Sequence, residues 1–147
     1  MPETAAAPTT AELMEAVAAV GTAYFHDFAA AAARLGLTSV QAKALGAVQE
    51  PVPMRELAGR LGCDASNVTG IVDRLEARGL AARQAAEADR RVKIVVATDA
   101  GRVALRSIRA GMDRAQEAFG ALDEGQRRAL FEACGALLPV LTAPGQD

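Results

Sequence analysis

With 147 residues, of which 51% are hydrophobic and 23% charged, the chain is long enough to bury one core and too short to make two independent domains the expectation. Aromatic residues are only 3% and tryptophan is absent, so a tight core of Ala, Leu and Val in a mostly α fold is expected. A net charge of −2, one histidine (His26) and two cysteines far apart (Cys63 and Cys134) argue against a uniformly basic nucleic-acid binder, a zinc site and a disulfide framework.

Residues 1–10, with Pro2 and Pro8, have no periodicity and read as a disordered arm ahead of a single domain over residues 11–147. From about Ala11 to Arg34, Leu13, Val17, Val20, Tyr24 and Phe28 recur at helical spacing and mark one face of a long helix that Gly36 ends. Thr38 with Gln41 forms a capping-box pattern opening a second helix, with Val40, Ala44, Leu45 and Val48 inward and a stop at Pro51. Pro53 suits the first turn of a third helix, where Met54, Leu57, Ala58 and Leu61 fall at i, i+3, i+4 and i+7 before Gly62. Asp64 then suits the N-cap of a fourth helix burying Val68, Ile71, Val72 and Leu75, closed by Gly79 in the left-handed cap with Leu80 as its apolar contact. Two amphipathic helices joined so tightly must cross steeply, which is the helix-turn-helix unit.

After Gly79 the period changes. Residues 81–84 and the β-branched run Val92-Lys93-Ile94-Val95-Val96 flank a polar stretch and predict a β-hairpin wing, although Ala81-Ala82 is a weak first strand by propensity and implies a mobile wing. Thr98 caps the next helix, expected to run to about Gly120 with Leu105, Ile108, Met112, Ala115 and Phe119 on its apolar face. Asp123 with Gln126 opens a last helix carrying Leu130, Cys134, Leu137 and Leu141 on one face, with Cys134 in a core position and Pro139 loosening the end. No run approaches the roughly 20 apolar residues of a membrane span, and no basic stretch leads into an apolar one at the start, so a cytoplasmic protein with no membrane partner is expected.

Charge is distributed unevenly. From Met54 to Arg102 nine basic residues meet seven acidic ones, leaving +2 there and −4 over the rest, so the central third suits phosphate. With its apolar stripe turned inward, the fourth helix presents Ser66, Asn67, Thr69, Gly70, Asp73 and Arg74 outward, and the N-terminal half of such a helix is what enters a major groove. Asn pairs bidentately with adenine, Ser and Thr serve several bases, and Arg74 and Arg78 are better placed for backbone oxygens. The bland alternative is a solvated face on which Asp73 and Glu76 pair locally with Arg74.

The segments Met54-Arg55-Glu56-Leu57-Ala58, Leu61-Gly62, Asn67 to Glu76, Gly79-Leu80 and Asp89-Arg90-Arg91-Val92, leading to Thr98 and Gly101, together resemble the MarR family, and the order of elements resembles it from about Ala11 to Leu141. The resemblance implies a winged helix-turn-helix over about residues 38–101, with the helices at about 11–35 and 99–142 forming a dimerisation region. It implies a homodimeric transcriptional regulator, a repressor on an inverted-repeat operator, binding double-stranded DNA and released by a small, phenolic ligand. In the wing it implies that Arg91 reaches the minor groove while Asp89 steadies the hairpin; a narrow A·T minor groove rewards an inserted guanidinium. Arg90 and Arg83 are expected at phosphate. Gly70 departs from the pattern, offering no side chain where relatives often carry a longer one.

The implied ligand pocket would be lined by Tyr24, Phe25, His26, Phe28 and Arg34, against the plainer reading of His26 as a packed residue. Cys63, beside a helix N-terminus, is a candidate redox switch, against the plainer reading of a small apolar residue in the turn. No Gly-rich phosphate loop, G-x-S-x-G, H-E-x-x-H or Ser/His/Asp set is present, so no enzymatic activity, metal or cofactor is expected. The rival function is a winged-helix protein-interaction module without sequence-specific DNA binding.

Overall fold

The computed structural model describes residues 6–143, so residues 1–5 of the expected arm lie outside it. The chain divides into two compact units, Met1–Met112 and Asp113–Asp147.

In the first unit, helix α1 spans Thr10–Arg34 and starts from a capping box in which Thr9 and Glu12 satisfy each other's backbone amides. The donors on Thr9 hold the Glu12 carboxyl below its usual pKa. Helix α2 (Ser39–Ala47) begins with the expected Thr38–Gln41 capping box. Then come strand β1 (Val52–Pro53), helices α3 (Met54–Leu61) and α4 (Ala65–Ala77), strands β2 (Ala81–Ala85) and β3 (Lys93–Ala97), and helix α5 (Asp99–Ala110). The sheet is antiparallel in the order β1-β3-β2. Ala81-Ala82 opens a fully registered strand, with Ala81 opposite Ala97 and Ala85 opposite Lys93. Cross-strand pairing with the β-branched run overrides the weak propensity of alanine.

Strand β1 was not expected. Two residues carry no periodicity, and proline is tolerated because this is an edge strand: Val52 pairs with Val95 and is buried, while Pro53 pairs with Ile94 and serves as the N-cap of α3.

Three helices of this unit end alike. Gly36, Gly62 and Gly79 each take a φ of 62–69°, and in each case the next residue's amide donates to the carbonyl five residues back: Leu37 to Ala32, Cys63 to Ala58, Leu80 to Leu75. This six-to-one bond uses a carbonyl that the helix end would leave orphaned, and only glycine reaches the left-handed region without a Cβ penalty. Leu37 and Leu80 are both buried, supplying the accompanying apolar contact.

The core is built from Leu45 and Val48 around α2, Val52 of β1, Leu57 of α3, Val68, Val72 and Leu75 of α4, Val95 of β3 and Ile108 of α5, all essentially without exposure. Each contributes about 1.5–3 kcal/mol by leaving water. Val40 is the exception to the expected α2 stripe and faces out at 45% exposure. On α1 only the C-terminal part is covered, through Asp27, Phe28, Ala31 and Ala32, while Leu13, Met14, Val17 and Val20 stay exposed.

The expected long helix to Gly120 is interrupted. The Gly111 amide donates to both the Ser107 and Ile108 carbonyls at 3.0 Å, and its own carbonyl accepts from Arg34 Nη1 at 3.0 Å. An arginine from α1 thus takes the acceptor that a continuous helix would use four residues on, at a glycine that already costs about 1 kcal/mol in a helix. In the second unit, helix α6 (Asp113–Gly120) is followed by α7 (Glu124–Leu141), which opens on the expected Asp123–Gln126 capping box and continues through Pro139. Arg127 ties the intervening turn by donating to the Leu122 and Gly120 carbonyls, both at 3.0 Å. Leu130, Phe131, Leu137, Leu138 and Leu141 of α7 are exposed, and so is Cys134, which therefore has no core position in the single chain. Among the described residues no helix is long and apolar enough to cross a membrane.

Gly101 provides a test of this packing. A Cβ there would stand 1.9 Å from the Leu80 carbonyl oxygen, so α5 can lie against the end of α4 only with glycine at this position. Gly101→Ala is predicted to lower stability by at least about 1–3 kcal/mol, the usual cost of overpacking. A urea midpoint equal to that of the parent chain would contradict this contact.

Candidate nucleic-acid interface

The α3–α4 turn is short because Gly62 reverses the chain in one residue and Asp64 enters α4 with extended backbone at φ −67° and ψ 153°. Asp64 occupies the N-cap position as expected, but its side chain caps no amide; its carbonyl accepts from Val68 N–H at 3.1 Å. The first-turn amides of α4 therefore keep a partial positive charge at an exposed helix start.

Helix α4 divides into three stripes. Val68, Val72 and Leu75 are sealed in the core, with Ile71 half-buried beside them. A second stripe, Ser66, Asn67, Gly70 and Arg74, joins Ile71, Val40 and Cys63 in lining an open groove of about 370 Å³. The third, Thr69, Asp73 and Glu76, falls at i, i+4 and i+7 and faces strand β2, where Arg83 meets it. Arg83 pairs with the carboxylates of Asp73 at 2.7 Å and of Glu76, and its Nη2 donates to the Thr69 carbonyl at 3.3 Å. Its backbone amide also donates to Glu76 Oε1 at 2.8 Å. Burial alone would lower the Arg83 pKa, but Asp73 and Glu76 outweigh it and hold the guanidinium above its ordinary value.

This arrangement replaces the local pairing of Asp73 and Glu76 with Arg74. Residues one and two apart on a helix do not face each other, whereas a strand crossing the helix surface reaches both acids at once. With both acids turned toward Arg83, Arg74 lines the groove with no ion-pair or hydrogen-bond partner among the described residues. The groove thus offers an amide, a hydroxyl, a glycine where backbone can be approached closely, and an unpaired guanidinium. That set suits hydrogen bonding to base edges and to an anionic backbone.

The wing tip is held by Asp89. Its Oδ1 accepts from the Arg91 backbone amide at 3.0 Å and its carbonyl from the Val92 amide at 2.9 Å, while the Ala86 amide donates to the Val92 carbonyl at 2.9 Å. This is an Asx turn closing a hairpin, and it leaves the side chains of Arg90 and Arg91 exposed. Thr98 joins the wing base to α4 by donating its hydroxyl to the Gly79 carbonyl at 2.6 Å and accepting from Gly101 N–H at 3.1 Å.

The remaining candidate residues are not gathered at the groove. Arg78 donates to the Leu35 and Gly36 carbonyls at 2.7 and 2.9 Å, clamping the C-terminus of α1 to that of α4. Arg34 ends α5, as described, and Phe28 is in the core. Tyr24 and Phe25 stack edge to face at 5.8 Å on exposed α1, and His26 is exposed next to them. Cys63 is a half-buried free thiol at the groove wall. Among the described residues no cluster of three His, Cys, Asp or Glu side chains could hold a metal ion.

Residues 47–93, from the end of α2 to the second wing strand, match the MarR family. No curated protein sequence matches the chain. Among solved structures the chain is similar to CouR from Rhodococcus jostii RHA1 bound to p-coumaroyl-CoA, at 26% identity over 89% of this chain and 92% of that one, with a TM-score of 0.69. It is similar to the transcriptional regulator BldR from Sulfolobus solfataricus, at 28% identity over 86% and 92% with a TM-score of 0.67. Apo MarR from E. coli, 21% identical over 91% and 99% with a TM-score of 0.69, has the same fold.

The wing turn gives a local prediction. Asp89→Ala removes the acceptor of the Arg91 amide, a bond worth about 1 kcal/mol, so hydrogen exchange of that amide should accelerate about fivefold. The Ala97 amide, bonded to the Val48 carbonyl, should be unaffected. Equal exchange of the Arg91 amide in both proteins would show that Asp89 does not close the turn.

Proposed function

We propose that this chain, whose residues 47–93 match the MarR family from the helix-turn-helix into the wing and whose described residues share the fold of its solved members, is a DNA-binding transcriptional repressor without catalytic activity. It acts in the cytoplasm as a homodimer on an inverted-repeat operator. The observation that carries this reading is the groove stripe of α4, where Ser66, Asn67, Gly70 and an unpaired Arg74 stand clear of a sealed inner face. In the complex Asn67 reads a base edge, Arg74 and the first-turn amides of α4 meet phosphate, and Arg91 enters the minor groove from a turn that Asp89 holds.

The exposed apolar residues of α1 and α7 support the homodimer. Leu13, Met14, Val17, Val20, Phe131 and Leu138 each expose half or more of their surface. That much uncovered apolar surface is the mark of a partner face, and a two-fold partner of the same chain covers both copies at once. Recognition helices of a two-fold dimer meet successive major grooves about 34 Å apart. Release by a small ligand rests on the relatives: the CouR structure holds p-coumaroyl-CoA. In this chain the effector is an aromatic acid or its thioester, and Tyr24 and Phe25 supply the aromatic surface for it.

Two measurements test the reading. With a genomic fragment selected by the protein, log K should fall steeply and linearly with log salt, and Arg74→Ala should reduce that slope by roughly 1. Asn67→Ala should cost about 1–3 kcal/mol and relax preference at one base position per half-site. Sequence-blind loss for Asn67→Ala would remove its base-reading role, and salt-independent binding would remove the DNA reading itself.

A further inference from the structure

Arg83 stands in the wing and is basic, which in a DNA-binding protein suggests a phosphate contact. Its surroundings argue otherwise. The guanidinium is three-quarters covered, and it meets two carboxylates and a backbone carbonyl of the same helix. With Asp73 and Glu76 the cluster sums to a charge of −1, so it has no attraction to offer a phosphate, and an approaching anion would have to displace partners already in place. What the cluster does provide is geometry. The planar fork of arginine fixes both distance and angle toward two carboxylates three residues apart on one helix face, and the Arg83 amide bonded to Glu76 adds a backbone tie.

We propose that Arg83 is a positioning residue that fastens the wing to the recognition helix α4, so that the groove stripe around Asn67 and the wing-tip Arg91 are presented to DNA at one fixed separation. The proposal rests on the DNA-binding reading and deepens it. Asp73 and Glu76 then have a purpose that their charge alone would forbid: two acids on a helix bound for DNA are tolerated because they hold the strand that carries the second contact.

This has a consequence opposite to simple electrostatics. The near-isosteric double variant Asp73→Asn, Glu76→Gln removes two negative charges close to the interface. If charge were all that mattered, it would bind the selected operator more tightly. Fastening predicts instead that its operator affinity falls by tenfold or more while binding to unrelated duplex DNA rises, because the charge improves and the geometry is lost. Arg83→Lys keeps the charge but not the fork, and it is predicted to fall in the same direction, whereas a phosphate contact would keep near-parent affinity.

The second readout is a double-mutant cycle of Arg83→Lys with Arg91→Ala. Fastening predicts strong coupling, with Arg91→Ala costing much less once the wing is loosened; independent phosphate contacts would be additive. Thermal melting confirms that each variant is folded, and hydrogen exchange of the wing amides should rise in both the Arg83→Lys and the Asp73→Asn, Glu76→Gln proteins. Tighter operator binding by the double variant, or additivity in the cycle, overturns the proposal and leaves the regulator reading standing. If the parent chain binds no genomic fragment at low salt, the regulator reading fails, and the role of Arg83 fails with it.

Discussion

A helix of thirteen residues can bury only one stripe, and in α4 the choice is fixed by Val68, Val72 and Leu75 meeting the core around Leu45 and Leu57. Everything chemical on this helix follows from that burial. Once these three residues point inward, Ser66, Asn67, Gly70 and Arg74 point into the groove, and Thr69, Asp73 and Glu76 point toward β2. Truncating one inner residue would cost several kcal/mol, and turning the helix to recover the contact would rotate both outer stripes away from their partners. Core packing here sets the rotational phase of the recognition surface.

Arginine has several different uses in this fold, and the surrounding acceptors decide which one applies. Arg34 and Arg78 donate to carbonyls at helix termini, ending α5 and α1 and tying α4 to the N-terminal helix. Arg83 fastens strand to helix through two carboxylates. Arg74, Arg90 and Arg91 have no carboxylate within pairing distance among the described residues, so their charge remains available. A net charge of −2 and an anionic ligand are therefore compatible. The field that an approaching phosphate meets is set by the cations left unpaired, while paired ones contribute shape.

Much of this was legible in the sequence because it is local. Thr38 with Gln41, Asp123 with Gln126, and glycines at 36, 62 and 79 are capping chemistry read within five residues, and the helical spacing of Val68, Val72 and Leu75 is a property of one segment. The missed features are tertiary. Strand β1 is two residues long and exists only because β3 lies beside it. The break at Gly111 depends on Arg34, distant in the chain. The pairing of Asp73 and Glu76 with Arg83 carries no local signal, because that partner lies beyond the Gly79 reversal. Val40, read as core, faces the groove, and the helical spacing of the α1 and α7 stripes carries no signal for which of their residues stay uncovered.

The central claim is that two copies of the α4 groove are presented to one face of the duplex by a rigid two-fold dimer. The most direct measurement is operator affinity as the two half-sites are moved apart by inserted base pairs at their centre. The account predicts that a half-turn insertion of about 5 base pairs abolishes high-affinity binding, because it places the second half-site on the opposite face of the duplex. Affinity that stays the same whatever the spacing would contradict it.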